Sequence, residues 1–495
     1  MSIFRKGRPT VAAKTSRLVL PNDAGHIPGA LAFARALCRE SGFTAKEAED
    51  VTEALREACD NVITHAFEPG TEAEYTVTFE LISGGLEITV EDMGLPFSPR
   101  RKAGPGFRAM EERMDRVRFM NRGREGKDVV LVKYRRGRHV EDIFRASELT
   151  PYELCEIEPD VPECEIRLMV TEEAVEVSRC IYRSYGYTYL NEDFYFPERI
   201  EARLREGRMI SAVAVSPEDG VVGHFAVTPG ANGIVGEIGV AVVHPRYRGR
   251  GLMSSMLEFL IGVAEERGFT ALYGNAFTMH DVSQKTNLRF GFHETALQLG
   301  GIPPHSIKPL AERELKGAGG VFSCFRYLKA SPRRTVYLPV RHREILEETL
   351  DALGLARTVQ ASGAPSLEGD SSLELILKPL HHTAHITVAR AGEDLERRIR
   401  AKRLELADEG FNTVFVDLNL SDPATPEAAG RLESVGFFYS GLLPDYAEGD
   451  VLRLQYYMTE IHYDEVVAHS EFARRLKEYV KSLDPKLRAM KTPSA

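Results

Sequence analysis

Residues 237–253 read EIGVAVVHPRYRGRGLM, an apolar β-branched run, then three arginines and two glycines in a very short span, then the start of an amphipathic run. The first part has the composition of a strand. From Leu252 the apolar positions 252, 253, 256, 257, 260, 261 and 264 recur at helical spacing until Gly268 supplies a stop. A strand, a tight turn and a helix in immediate succession restrict this part of the chain to an α/β architecture. In such a turn glycines let the backbone approach a ligand, the N–H groups at the helix start attract anions, and arginines add charge-assisted hydrogen bonds. A pyrophosphate is the natural guest, and a solvated basic loop is the plain alternative.

At 495 residues the chain is too long for one hydrophobic core, since single cores stop growing at roughly 250–300 residues. Five segments are expected: a domain over 1–140, an acidic linker over 141–165, domains over 166–330 and 331–470, and a basic helical tail over 471–495. A formal net charge of −10 argues against nucleic acid or an anionic membrane as the main partner. Six cysteines without a CxxC pair fit neither a zinc site nor a disulfide framework. No run approaches ~18 apolar residues, and no apolar stretch of signal-peptide length follows the basic opening. A cytoplasmic location is the expectation. An internal echo is also present: Gly268-Phe269 and Gly291-Phe292 bracket a strand, loop and helix pattern that Gly410-Phe411 and Gly436-Phe437 bracket again. It reads as a duplicated α/β unit.

Arg246, Gly249 and Gly251 match the pattern Q/R-x-x-G-x-G/A between strand and helix, and with YGYTYLNEDFYFPERI before it and NLRFGF after it the segment 165–330 resembles the GNAT acetyltransferase superfamily. The resemblance implies that the strand opens at Val242 and Val243 to the pantetheine arm of acetyl-CoA. It also implies that the turn, with Arg246, Arg248, Gly249, Arg250, Gly251 and Leu252, holds the pyrophosphate. Acetyl transfer needs a positioned amine, a base and donors facing the thioester oxygen. Glu237 is the candidate base; a surface glutamate at a strand end is the alternative. Where the family often carries a tyrosine as general acid, this chain has Asn287, which has no titratable proton. Either another group or solvent serves, or the domain binds acyl-CoA without efficient turnover. In the third block ITVARAGEDLERR lacks the glycine pair and puts Glu393 and Asp394 where phosphates would approach. That block reads as a degenerate GNAT-like repeat that packs on the active one or shapes its acceptor cleft.

Near the other end, TAKEAEDVTEALREACDNVITHAFEPG opens on the capping-box pair Thr44 and Glu47 and stops at Pro-Gly. Positions 48, 51, 55, 58, 62 and 66 form one apolar-to-small stripe, with Glu57 and Asn61 together off it. EYTVTFEL and GLEITVEDMG alternate as hairpin strands. Asp92 keeps the buried parity of Leu86, Ile88 and Val90, and a carboxylate there needs a donor, such as the amino group of a purine. GPGF, residues 104–107, precedes a helical run in the manner of a phosphate-cradling helix start.

In this order E-x-x-x-N (Glu57, Asn61), D-x-G (Asp92, Gly94) and G-x-G (Gly104, Gly106) resemble the boxes of Bergerat-type ATPases, and most closely the anti-sigma-factor serine kinases. The resemblance implies an N-terminal Bergerat α/β sandwich ahead of tandem GNAT-like mixed-sheet domains. It implies that Asn61 holds Mg²⁺ against ATP, that Asp92 reads adenine, that Gly104 and Gly106 cradle phosphates, and that Glu57 is the base for a serine hydroxyl or water. Pro105 departs from the pattern by removing one backbone N–H. Two functions fit. One is an acetyl-CoA-dependent N-acetyltransferase, acting on a small-molecule or protein amine, fused to an ATP-binding regulatory module with an anti-anti-sigma-type partner. The other is a non-catalytic partner-switching adaptor whose GNAT-like parts sense ligands or dock.

Overall fold

A computed structural model describes residues 15–68, 71–82, 85–95, 105–121, 126–135, 139–152, 162–230, 232–303, 316–360 and 367–487. The chain forms two units, Met1–Ile143 with Phe196–Glu206, and Phe144–Tyr195 with Gly207–Ala495.

The first unit contains β1 (Thr15–Pro21), α1 (Ile27–Glu40), α2 (Ala45–His65), β2 (Glu74–Ile82), β3 (Gly85–Asp92), α3 (Pro105–Arg113), β4 (Arg116–Asn121), β5 (Lys127–Tyr134) and α4 (Val140–Ile143). Thr44 caps α2 by accepting from the Glu47 amide at 3.2 Å, while Glu47 accepts from the Thr44 amide at 2.7 Å. The capping box is thus formed as predicted. The α2 stripe Ala48, Val51, Leu55, Ala58, Val62 and Ala66 is buried, in one core with Tyr75, Val77 and Phe79 of β2 and Leu86, Ile88 and Val90 of β3. Strands run β1-β2-β3-β5-β4, every neighbour antiparallel. Alternation buries one sheet face under the helices, giving an α/β sandwich.

The second unit begins with β6 (Glu165–Leu168) and α5 (Ala174–Tyr185). Next in the chain is α6 (Pro197–Arg205), which groups with the first unit, its Arg199 guanidinium 3.9 Å from the Tyr134 ring centre. The second unit resumes with β7 (Ile210–Ser216), β8 (Gly220–Pro229), β9 (Val235–Val243), α7 (Leu252–Glu266), β10 (Ala271–Phe277), α8 (Val282–Arg289), β11 (His293–Ile302) and β12 (Gly319–Tyr327). Its later part holds β13 (Arg334–Val336), α9 (Arg343–Ala352), β14 (Arg357–Val359), β15 (Ser372–Lys378), β16 (Thr383–Arg390), α10 (Leu395–Asp408), β17 (Thr413–Asn419), α11 (Thr425–Ser434), β18 (Phe438–Leu443), β19 (Val451–Tyr457) and α12 (Glu471–Leu483).

One twelve-stranded sheet runs through the second unit in the order β15-β16-β17-β19-β18-β11-β12-β10-β9-β8-β7-β6. The strand order β8-β9-β10-β12-β11 recurs as β15-β16-β17-β19-β18, and the two runs meet where Ala296 pairs with Gly441. Each run has one parallel pair, β9 with β10 and β16 with β17. A side chain at Gly441 would lie 2.3 Å from the Ala296 Cα, so this seam admits only glycine. The duplicated Gly-Phe pairs have a local cause. Gly268, Gly291, Gly410 and Gly436 all take positive φ, between 73° and 96°, and each is followed by a buried phenylalanine. Glycine ends the helix and phenylalanine anchors the start of the next strand. Helix α12, in the segment expected as a tail, buries Ala473, Leu476 and Val480 in the core shared by both runs. Among the described residues no helix is long and apolar enough to cross a membrane.

Candidate functional site

β9 and β10 pair from Val235↔Ala271 only to Ile238↔Gly274, although β9 continues to Val243. Val242 and Val243 pair with His224 and Gly223 of β8, beyond the end of the ladder to β10. Where the strands part, β9 carries a bulge against β8, and Val240 has φ of 56°. A β-branched residue in that region stores about 1–3 kcal/mol of strain. Buried His224 holds it: Nδ1 donates to the Val240 carbonyl at 2.8 Å, and Nε2 accepts from Ser211 Oγ at 3.1 Å. The Tyr185 hydroxyl donates to the Ala241 carbonyl at 3.2 Å. None of Val240, His224 and Tyr185 is marked by spacing in the sequence, since a positive φ at valine has no one-letter signature.

Burial pulls the His224 imidazole down to about 4 from 6.5. The unfolded chain therefore takes up this proton first, so the stability His224 contributes is whole above about pH 6.5 and is lost as pH falls toward 4. Calorimetric unfolding midpoints are expected to drop across that window. The drop should be shallower in His224→Gln, and an identical slope in the variant would contradict the assignment.

After β9, Gly249 and Gly251 take φ of 76° and 79°, and α7 begins at Leu252 with Gly251 as its N-cap and no side-chain cap. A Cβ at Gly251 would meet nothing within 4 Å, so backbone conformation rather than crowding requires glycine there. The arginines divide their work differently from the sequence expectation. Arg246 pairs with Asp219 at 2.9 Å, and Arg248 Nε donates to the Val243 carbonyl at 3.2 Å, so both brace the turn; Arg250 is exposed. The Tyr247 hydroxyl donates to Asp219 at 2.7 Å. Beside the turn lies a cleft of about 670 Å³ lined by Gly251, Ser254, Ser255, Arg289, Gly291 and Arg326, among others. Backbone amides at a helix start together with Arg289 and Arg326, which outnumber the Glu258 carboxylate on the same lining, suit a diphosphate ester.

Glu237 stands one residue before the end of the ladder. It accepts from the Tyr273 hydroxyl at 3.0 Å and from Asn275 Nδ2 at 2.9 Å. Burial first, then Glu237, pushes the Tyr273 phenol up, so it stays a donor. Neither partner was foreseen, because both sit on the adjoining strand. Asn287 is buried, its amide nitrogen 3.5 Å from where a Cβ on Gly274 would lie, at the point where the strands separate.

The later half of the sheet keeps the strand order without this opening. β16 and β17 stay paired through Val388↔Leu418. The start of α10 is filled by the chain itself: Asp394 accepts from the Ser371 amide at 2.8 Å, and the Glu393 amide donates to the Gly369 carbonyl at 2.9 Å.

In the first unit, Glu57 and Asn61 lie one turn apart on α2, half-buried. A Cβ at Gly106 would fall 2.7 Å from Glu57 Oε2 and 3.9 Å from Asn61 Nδ2, so the fold brings the helix pair and the second glycine of G-x-G together. Gly104 lies outside the described residues, and Pro105 opens α3. Asp92 is buried at the end of β3, as its parity predicts. It accepts from the Gly94 amide at 2.8 Å, and Lys127 Nζ is 3.5 Å away. Burial raises its carboxyl and Lys127 opposes that shift. Gly94 is obligatory: a Cβ there would lie 2.1 Å from the Ala66 carbonyl. Lys127, the cross-strand partner of Asp92, was missed because the register of β3 and β5 is not written in either segment alone. A buried carboxylate, a small-residue cradle and a neighbouring acid-amide pair suit a purine nucleotide. Among the described residues no cluster of three or more histidine, cysteine or acidic side chains forms a metal site.

Residues 20–133 match the histidine kinase-like ATPase domain, and residues 174–292 match the acetyltransferase (GNAT) family. The first region is 30% identical over 118 residues to the serine-protein kinase RsbW of Bacillus subtilis (strain 168), covering 20% of this chain and 72% of that protein. An N-acetyltransferase from Staphylococcus aureus Mu50 aligns over 34% of this chain and 100% of its own, at 18% identity and a TM-score of 0.28. A phosphinothricin acetyltransferase from Sinorhizobium meliloti in complex with AcCoA aligns over 34% and 90%, at 19% identity and a TM-score of 0.28. By its first region the chain belongs to the histidine kinase-like ATPase family that includes the serine-protein kinase RsbW, and it carries a GNAT-family acetyltransferase domain fused behind it.

Proposed function

We propose that the chain is an acetyl-CoA-dependent N-acetyltransferase joined to an ATP-binding, serine-kinase-like regulatory domain of cytoplasmic bacterial signalling. The observation that carries this reading is the parting of β9 from β10 after Ile238↔Gly274, ahead of a turn built on two positive-φ glycines and a helix start without a side-chain cap. When bound, acetyl-CoA supplies the acetyl group as an activated thioester. Val242 and Val243 line the open edge for the pantetheine arm, and the turn from Arg246 to Leu252 holds the diphosphate. Glu237, oriented by Tyr273 and Asn275, takes the proton from the attacking amine, which belongs to a small molecule or a protein. The test is steady CoA release on mixing the protein with acetyl-CoA and a panel of polyamines, peptides and cell extract. Tight acetyl-CoA binding with no acceptor acetylated would sink the enzymatic reading.

For the first domain, we assign Asn61 to Mg²⁺ and the triphosphate, Asp92 to the adenine amino group, Gly94, Gly104 and Gly106 to the cradle, and Glu57 to proton removal from a serine hydroxyl or water. An anti-anti-sigma-type protein is the partner this reading expects. Glu57→Ala is expected to keep ATP affinity while lowering phosphoryl transfer by about 10²-fold or more, because the base acts on the nucleophile. Nucleotide binding by fluorescence against phosphate release separates the two, and lost binding would count against the role.

A second reading, the non-catalytic adaptor, draws on Asn287. It is buried where the family often has an acid, and it offers no titratable proton. Acetyl-CoA consumption that depends on Glu237 would exclude it.

A further inference from the structure

Six side chains on six strands form one hydrogen-bonded row across the seam of the sheet. Asn275 Nδ2 donates to Glu237 Oε1 at 2.9 Å, and Ser323 Oγ donates to Asn275 Oδ1 at 2.8 Å. Gln298 Nε2 donates to Ser323 Oγ at 2.5 Å, and Arg453 Nη1 donates to Gln298 Oε1 at 2.8 Å. Beyond it Arg453 grips Asp417 through Nε and Nη2 at 2.7 and 2.6 Å. Glu237, Asn275, Ser323 and Gln298 belong to the earlier half; Arg453 and Asp417 belong to the later one.

Chemistry fixes the sense of this row. A guanidinium only donates and a carboxylate only accepts, whereas the amides and the hydroxyl between them serve in either direction. With Arg453 at one end, the Gln298 carbonyl must face it, which turns the Gln298 amide toward Ser323. The Ser323 hydroxyl is then free to donate to the Asn275 carbonyl, and the Asn275 amide is aimed at Glu237. Both ends demand the same sense, since the Glu237 carboxylate takes the Asn275 amide and the Arg453 guanidinium takes the Gln298 carbonyl, so neither amide can turn without setting like against like. Geometry makes the reach possible: Arg453 pairs across β18 with Gly441, and Gly441 pairs with Ala296, so only a glycine and a methyl side chain intervene. Ser323 and Arg453 hold the same place in the two halves, opposite Asn275 and Asp417. A second short arm supports the same carboxylate, since Arg453 lies 5.3 Å from the Tyr446 ring, which packs 5.6 Å from that of Tyr273.

We propose that Arg453, supplied by the later half of the sheet, is a positioning residue that orients the candidate base Glu237 through Gln298, Ser323 and Asn275. Its catalytic consequence rests on the acetyltransferase reading above. The later half thereby acquires a role as the anchor of the base.

Arg453→Met alone would strand Asp417 as a buried charge, so the kinetic test cuts the row at Ser323 instead. Ser323→Ala is expected to lower kcat for acetyl transfer roughly tenfold, the worth of one hydrogen bond lost from the row that holds Asn275 toward the base, with KM for acetyl-CoA unchanged. Ser323→Thr, which keeps a hydroxyl, recovers most of the loss. In a Glu237→Gln background Ser323→Ala costs nothing further, because the row no longer has a base to orient. The same fractional loss in both backgrounds, or no loss in either, overturns the proposal.

A second measurement needs no activity. In Asp417→Leu/Arg453→Met, which removes both charges together, the Asn275 side-chain amide resonances of the full chain are expected to shift without added ligand. Resonances that stay in place overturn the anchoring whether or not an amine is acetylated. Resonances that move in a protein that acetylates nothing leave the anchoring intact and sink the enzymatic reading.

Discussion

Glu237→Gln is expected to lower kcat for acetyl transfer by about 10²–10⁴-fold while the acetyl-CoA dissociation constant stays the same. The substitution is nearly isosteric, and the glutamine carbonyl still accepts from Tyr273 or Asn275, which now hold Glu237 at 3.0 and 2.9 Å. What disappears is the capacity to take a proton from an ammonium that must become an amine before it attacks. The turn proposed to hold the diphosphate is untouched, so calorimetric titration with acetyl-CoA separates chemistry from binding. A variant that loses both together would place Glu237 in the framework of β9, and one that loses neither would remove it from the reaction.

Gly249→Glu should abolish acetyl-CoA binding, raising the dissociation constant by about a hundredfold or more. Two causes add. At φ of 76° a Cβ costs about 1–2 kcal/mol in the turn itself, which forces the backbone to move. The new carboxylate also stands among the amides that are to receive a diphosphate, and like charges repel there. Because Gly249 lies in the second unit, ATP affinity in the first is expected to be retained. Titration of one protein sample with each ligand checks both, and an unchanged acetyl-CoA affinity would remove the glycine turn from the site. Gly249→Ala serves as the companion variant, isolating the conformational cost from the charge.

How far the chain could be read in advance depends on how local each feature is. The capping box at Thr44 and Glu47, the buried stripe of α2 and the four helix-ending glycines at 268, 291, 410 and 436 all arise from interactions within a few residues. They were legible for that reason. The pairing of Glu57 with Asn61 comes from helical period, and the burial of Asp92 from strand parity. The three arginines show the limit of such reading. Their spacing suggested a common duty toward one ligand, yet Asp219, nearly thirty positions earlier, claims Arg246, and the carbonyl of Val243 claims Arg248. Charge is visible in a sequence; its counter-ion is not.

Periodicity, capping signals and glycine placement were enough to specify strand-turn-helix units and their duplication, because hydrogen bonding and side-chain spacing along a short segment decide them. Strand order and register were settled only in three dimensions. They set Lys127 opposite Asp92, end the β9/β10 ladder at Ile238, and let Arg453 reach the row that leads to Glu237. The physical reason is that a sheet joins residues through space: Gln298 and Arg453 meet across 155 positions of chain, at a seam that exists because Gly441 has no side chain to hold Ala296 away.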